Sequence, residues 1–172
     1  RFNYDAASQR TGPALVKTIV AMGADSPKEI GHAYGTAHRE IAVEYAELDY
    51  YLHADMFEAS FRRAVEKLNL QFDADLYAEF AQLQHESIVN GLELKGDCHD
   101  TLAGLKERGL YLSIVSNIDE DMLQPLVRRE GLDRYLEHWT SSEFAGSCKP
   151  HAEIFHHSLE KSNLRAEEVL FV

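Results

Sequence analysis

The stretch Leu110-Tyr111-Leu112-Ser113-Ile114-Val115-Ser116-Asn117-Ile118-Asp119 decides the fold. Its first six residues are mostly apolar and partly β-branched, the pattern of a strand buried on both faces of a parallel sheet. The run ends in Ser116 and Asn117, two small polar groups at the carboxyl edge of that sheet, where ligands gather in open α/β folds. Asp119 is placed to cap the following helix, whose apolar stripe is Met122, Leu123, Leu126 and Val127. Pro125 falls inside that helix and predicts a kink or a late start. A second signal is Ser147-Cys148-Lys149-Pro150, a lysine directly before a proline that reads as the first residue of a helix. A hydroxyl and an ammonium brought to one sheet edge make an anion site the size of a phosphate.

Working outward, the flanking pattern alternates. Residues 101–109 read as a helix closed by Gly109, 138–140 as a short strand, 150–159 as a helix and 169–172 as a last buried strand. Strand and helix in alternation mean a parallel sheet with right-handed crossovers. The first half is different. From Pro13 to Gly91 the apolar residues recur at spacings of three and four, as in Ile30, Tyr34, Ala37, Ile41, Tyr45, Leu48 and Leu52. Ser26-Pro27 marks one helix start, and Asp73 or Asp75 another. Residues 1–12 are polar, carry no period and run into Gly12-Pro13, so they read as a linker. The expected organisation is therefore linker 1–12, helical block 13–91 and α/β core 92–172.

Composition narrows the function classes. The 172 residues hold 45% hydrophobic and 27% charged side chains, enough for one core with a satellite. Seventeen Lys+Arg against 29 Asp+Glu give a net charge of −12, which argues against nucleic acid or an anionic membrane as partner. No apolar run approaches the roughly 20 residues of a membrane span, and no leader pattern opens the chain. Cys98 and Cys148 form neither a metal-spaced pair nor a disulfide framework, so a cytoplasmic setting is the default.

IVSNIDEDM, GLDRYLEHWTSSEFAGSCKPHAEIFHHSLEKS and AEEVLFV together resemble the haloacid dehalogenase-like (HAD) hydrolases. The resemblance covers 92–172 closely and makes 13–91 similar to that family's inserted helical cap. It implies a Rossmann-like α/β core with Ser116 at the second family motif, hydrogen-bonding a transferring phosphoryl group. It puts Lys149 at the third, neutralising that group and the nucleophile. Asn117 itself reads both as loop architecture and as a candidate substrate contact. The implied activity is Mg²⁺-dependent hydrolysis of a small phosphorylated metabolite through an aspartyl-phosphate. The nucleophilic aspartate would precede Arg1 and the acidic Mg²⁺ ligands would follow Val172, so no metal ligand is assigned here. On this reading the chain is expected to be an inactive fragment lacking a strand at one end and a loop at the other. Dehalogenation of 2-haloacids is the alternative chemistry, and a non-catalytic chain or binding module the alternative class.

The chemistry accounts for the residue types. Phosphoryl transfer asks mainly for positioning and charge stabilisation. A lysine supplies a compact point charge, and a hydroxyl fixed at a strand end is a preorganised donor. Other polar clusters have plainer readings. His151, Glu153, His156 and His157 fit a solvated surface better than a ligand set, because Ile154 and Phe155 take the inward face. Cys98-His99-Asp100 fits a helix start better than a nucleophile with its base. Tyr50, Tyr51, His53, Arg62 and Arg63 are candidates for shaping a substrate pocket.

Overall fold

In the computed structural model, residues 5–172 are described, and they form two compact units. One comprises the chain up to Glu47 together with His53–Leu94; the other comprises Leu48–Leu52 and Lys95–Val172.

The first unit is four helices: α1 (Asp5–Ala21), α2 (Pro27–Ala46), α3 (His53–Lys67) and α4 (Ala74–Gly91). Each start is written locally. Ser26 accepts the Glu29 amide at the head of α2, with Pro27 as its first residue, and Asp73 accepts from the amides of Asp75 and Leu76 at the head of α4. Helix α2 packs on α3 and α1 on α4, and Leu15, Ile19, Ile30, Phe61, Val65 and Phe80 fill the centre. Phe61 is fully buried, with the rings of Tyr77 and Phe80 at 5.0 and 5.2 Å. Gly91 lets α1 come close: a Cβ there would stand 3.2 Å from the Ala7 backbone.

Two expectations change here. The linker expected over 1–12 is helix from Asp5 onward, and its first four positions lie outside the described residues. Gly12-Pro13 does not break α1, because burial of Ala7, Leu15 and Ile19 outweighs local propensity. The two units also divide after Leu94 rather than Gly91, and the α2–α3 connection belongs to the second unit.

That second unit carries α5 (Cys98–Glu107), β1 (Ser113–Ser116), α6 (Glu120–Arg129), β2 (His138–Ser141), α7 (Ser142–Ala145) and α8 (Ala152–Ser162), with short 3₁₀ turns at Leu132–Arg134 and Ala166–Glu168. Strands β1 and β2 run parallel, Ser113 opposite His138 and Ser116 opposite Ser141. Both therefore end at the same edge. Met122, Leu123, Leu126 and Val127 are buried along α6, as the stripe predicts, and α6 starts at Glu120 and runs through Pro125. At the end of α5, Gly109 takes a left-handed φ of 73° and donates its amide to the Lys106 carbonyl.

The core differs from expectation in three places. Strand β1 spans 113–116 and is only partly buried, with Leu110 and Tyr111 exposed ahead of it. Residues 169–172 are not a strand, since no neighbouring strand pairs with them among the described residues; Phe171 instead packs edge-on against Phe155, centroids 5.2 Å apart. Pro150 does not open a helix: Lys149-Pro150 is a cis peptide in a turn, and α8 begins two residues later.

Candidate active site at the carboxyl edge of the sheet

Ser116 closes β1, and the turn Asn117–Asp119 follows. This turn is held by the residues just after β2. The Ile118 amide donates to Ser142 Oγ at 3.0 Å, and the same hydroxyl donates to the Ile118 carbonyl at 3.3 Å. The Glu120 amide donates to Glu143 Oε2 at 2.7 Å, so an acidic side chain meets the positive end of α6. Ser141 Oγ donates to Glu120 Oε2 at 2.5 Å and accepts the Phe144 amide at 3.0 Å. Asp119 stands at the N-cap as expected, but its side chain makes no capping bond; its carbonyl accepts from Met122 and Leu123. Ser141 and Ser142 are fully buried. Their signal in the sequence was the run of small hydroxyls Thr140-Ser141-Ser142 where a strand meets a turn.

Lys149 joins this edge from the other side. Its Nζ donates to the Val115 carbonyl at 2.9 Å. That carbonyl is amide-bonded to the Ser116 nitrogen, so the ammonium rests on the peptide that carries Ser116. The structure thus brings these two residues together despite their separation in sequence. Asn117 is tied to the same lysine twice: the Lys149 amide donates to Asn117 Oδ1 at 2.7 Å, and Asn117 Nδ2 donates to the Lys149 carbonyl at 3.1 Å. Partial burial pushes the Lys149 ammonium below the usual lysine range, because a charge leaving water favours its neutral form. The Phe171 ring lies 5.4 Å from Nζ.

One neighbour of Lys149 was not foreseen. Cys148 is buried, donates its amide to the Asp49 carbonyl at 2.8 Å, and turns its thiol toward the Tyr51 carbonyl at 3.8 Å. His151 Nδ1 lies 3.4 Å from Asp49 Oδ1. The segment 48–52 is therefore fastened to the lysine loop, which places Tyr50 and Tyr51 at this edge. Burial, with Cys148 and Asp119 adding to it, pushes the Tyr51 phenol up.

The remaining candidates lie elsewhere. Arg62 pairs with Glu58 at 2.6 Å and covers the Phe72 ring, and Arg63 pairs with Glu44 at 3.1 Å, all inside the helical unit. Cys98 opens α5, where burial raises its thiol and so disfavours the thiolate. His156 faces Glu153 on the exposed side of α8, and His157 packs edge-on against Phe144. Among the described residues no group of three or more His, Cys, Asp or Glu is placed to hold a metal ion.

The family profile of haloacid dehalogenase-like hydrolases matches residues 5–172. The chain belongs to this family. A glyceraldehyde 3-phosphate phosphatase from Pyrococcus furiosus is 25% identical over 139 residues, 81% of this chain and 56% of that protein. (S)-2-haloacid dehalogenase 4A from Burkholderia cepacia is 32% identical over 76 residues, 44% of this chain and 33% of that protein. The solved L-2-haloacid dehalogenase of Xanthobacter autotrophicus superposes with a TM-score of 0.68 at 23% identity, covering 99% of this chain and 64% of that one. At that identity the likeness establishes the fold, and the fold is HAD-like: a partial Rossmann-like core joined to a helical block. This HAD-like chain spans about a third to a little over half of the length of the curated relatives it matches.

Proposed function

We propose that this HAD-like hydrolase is a phosphatase that cleaves small phosphomonoesters. The observation that carries the reading is Lys149 Nζ on the Val115 carbonyl, one peptide from Ser116. A cation and a hydroxyl at one sheet edge suit the oxygens of a phosphoryl group. In this reading Ser116 donates to a phosphoryl oxygen and Lys149 offsets the charge that gathers as the ester bond breaks. Tyr50 and Tyr51 border the substrate, a small phosphorylated metabolite. The net charge of −12 disfavours polyanionic substrates such as nucleic acid.

HAD phosphatases generally draw on Mg²⁺, which would offset repulsion between a carboxylate nucleophile and a phosphate dianion. Among the described residues no group of three or more His, Cys, Asp or Glu is placed to hold it. The resemblance to (S)-2-haloacid dehalogenase 4A supports a second reading, displacement of halide from a 2-haloacid at the same edge. One assay separates the two. The full-length protein is given a panel of phosphomonoesters and a panel of 2-haloacids, each with Mg²⁺ and with EDTA. Phosphate release that EDTA abolishes supports the phosphatase; halide release indifferent to EDTA supports the dehalogenase; neither product sinks both.

A further inference from the structure

We propose that Asn117 is a positioning residue: its carboxamide grips the main chain of Lys149 and so sets the ammonium beside Ser116. The inference rests on Lys149 serving the phosphoryl group as described above.

Asn117 Oδ1 accepts the Lys149 amide at 2.7 Å, and Asn117 Nδ2 donates to the Lys149 carbonyl at 3.1 Å. A carboxamide suits both bonds because it carries an acceptor and a donor in one plane, whereas a carboxylate has no donor. The third link is at the far end of the lysine, where Nζ donates to the Val115 carbonyl at 2.9 Å. Asn117 thus holds Lys149 at its root and Val115 holds it at its head, on either side of Ser116. A lysine stem is flexible and its charge is otherwise free to move into water. Fixing both ends converts a mobile charge into a preorganised one, and preorganised charge is what lowers a barrier. The sequence alone leaves Asn117 between loop architecture and substrate contact. In the structure its acceptor and one of its N–H groups face Lys149, so its effect on the reaction passes through that residue.

The test is a double-mutant cycle in the full-length protein, with p-nitrophenyl phosphate as the probe. Asn117→Ala is expected to lower kcat about 30-fold with KM changed less than about 3-fold. In a Lys149→Ala background the same substitution is expected to change kcat less than about 3-fold, because nothing is left to position. Freed from its grip, Lys149 regains water in Asn117→Ala, and the alkaline limb of the kcat profile moves up in pH; a merely structural role would not move it. Should Asn117→Ala fail to fold, Asn117→Asp carries the same cycle, being isosteric while lacking the donor. An unchanged kcat in Asn117→Ala, an unmoved alkaline limb, or equal losses in both backgrounds overturns the positioning role and leaves the phosphatase reading intact. A Lys149→Ala protein with undiminished turnover defeats that reading itself.

Discussion

The hydroxyl of Ser142 serves both backbone polar groups of Ile118, accepting from its amide and donating to its carbonyl. One buried side chain after β2 thereby fixes the turn that follows β1, the turn on which Ser116 and Asn117 depend.

Ser142→Ala should cost about 1–3 kcal/mol of stability, since it takes from the partly buried Ile118 amide and carbonyl the hydroxyl that serves both. Thermal denaturation of the full-length protein measures this. A melting temperature unchanged by the substitution would mean that the turn finds other partners.

Lys149→Ala should remove most phosphatase turnover, and Lys149→Arg should restore little, because a planar fork does not replace a point charge in a tight site. Ser116→Ala should cost less, about 10²–10³ in kcat, as for the loss of one oxyanion donor. Steady-state kinetics on one phosphomonoester orders the three variants, and a Ser116→Ala loss exceeding that of Lys149→Ala contradicts the division of labour.

Activity should also fall on the alkaline side sooner than an exposed lysine would dictate. Burial lowers the Lys149 pKa, so its proton is lost at a lower pH than the ordinary 10.5. A kcat profile whose alkaline limb lies at or above the ordinary lysine value argues against this ammonium as the titrating group.

His38 gives the helical unit an acid sensitivity. It lies between Tyr34 and Phe57, ring centroids at 6.1 and 6.4 Å, and Nδ1 donates to Ser60 Oγ, whose own proton goes to the Met56 carbonyl. Burial lowers its pKa from 6.5, so the folded chain takes up the proton less readily than the unfolded chain. The stability tied to neutral His38 is complete above about pH 6.5 and is lost as the pH falls below it. Melting temperatures at pH 7.5 and 5.5 should therefore drop more in the wild type than in His38→Gln; equal drops would clear His38 of the effect.

Phe61→Ala should destabilise the helical unit by about 3–5 kcal/mol, the cost of emptying a fully buried aromatic site. Chemical denaturation reads this directly, and a loss below about 1 kcal/mol would mean that Phe72, Tyr77 and Phe80 collapse into the space.

Much of the chain was legible because local chemistry and packing agree there. Ser26-Pro27 and Asp73 start helices as their side chains dictate, and the α6 stripe buries the residues that its period picks out. Where they compete, reading failed. Gly12-Pro13 looks like a stop but sits within α1, whose apolar face is buried. Val169–Val172 has strand composition, yet a strand is a property of two segments and this one has no partner among the described residues. The site was half visible for the same reason. Ser116 and Lys149 announce themselves by type and position, whereas the partners of Asn117 and Ser142 are set by tertiary contacts that no local pattern encodes.

The bond from the Cys148 amide to the Asp49 carbonyl makes that amide a timekeeper. Shielded from water and next in sequence to Lys149, it exchanges its hydrogen for deuterium when segment 48–52 lets go or the surrounding structure opens. Its uptake half-life therefore lengthens with the share of time the two stay joined, and a ligand settling at this edge would be heard as a slowing of that one clock.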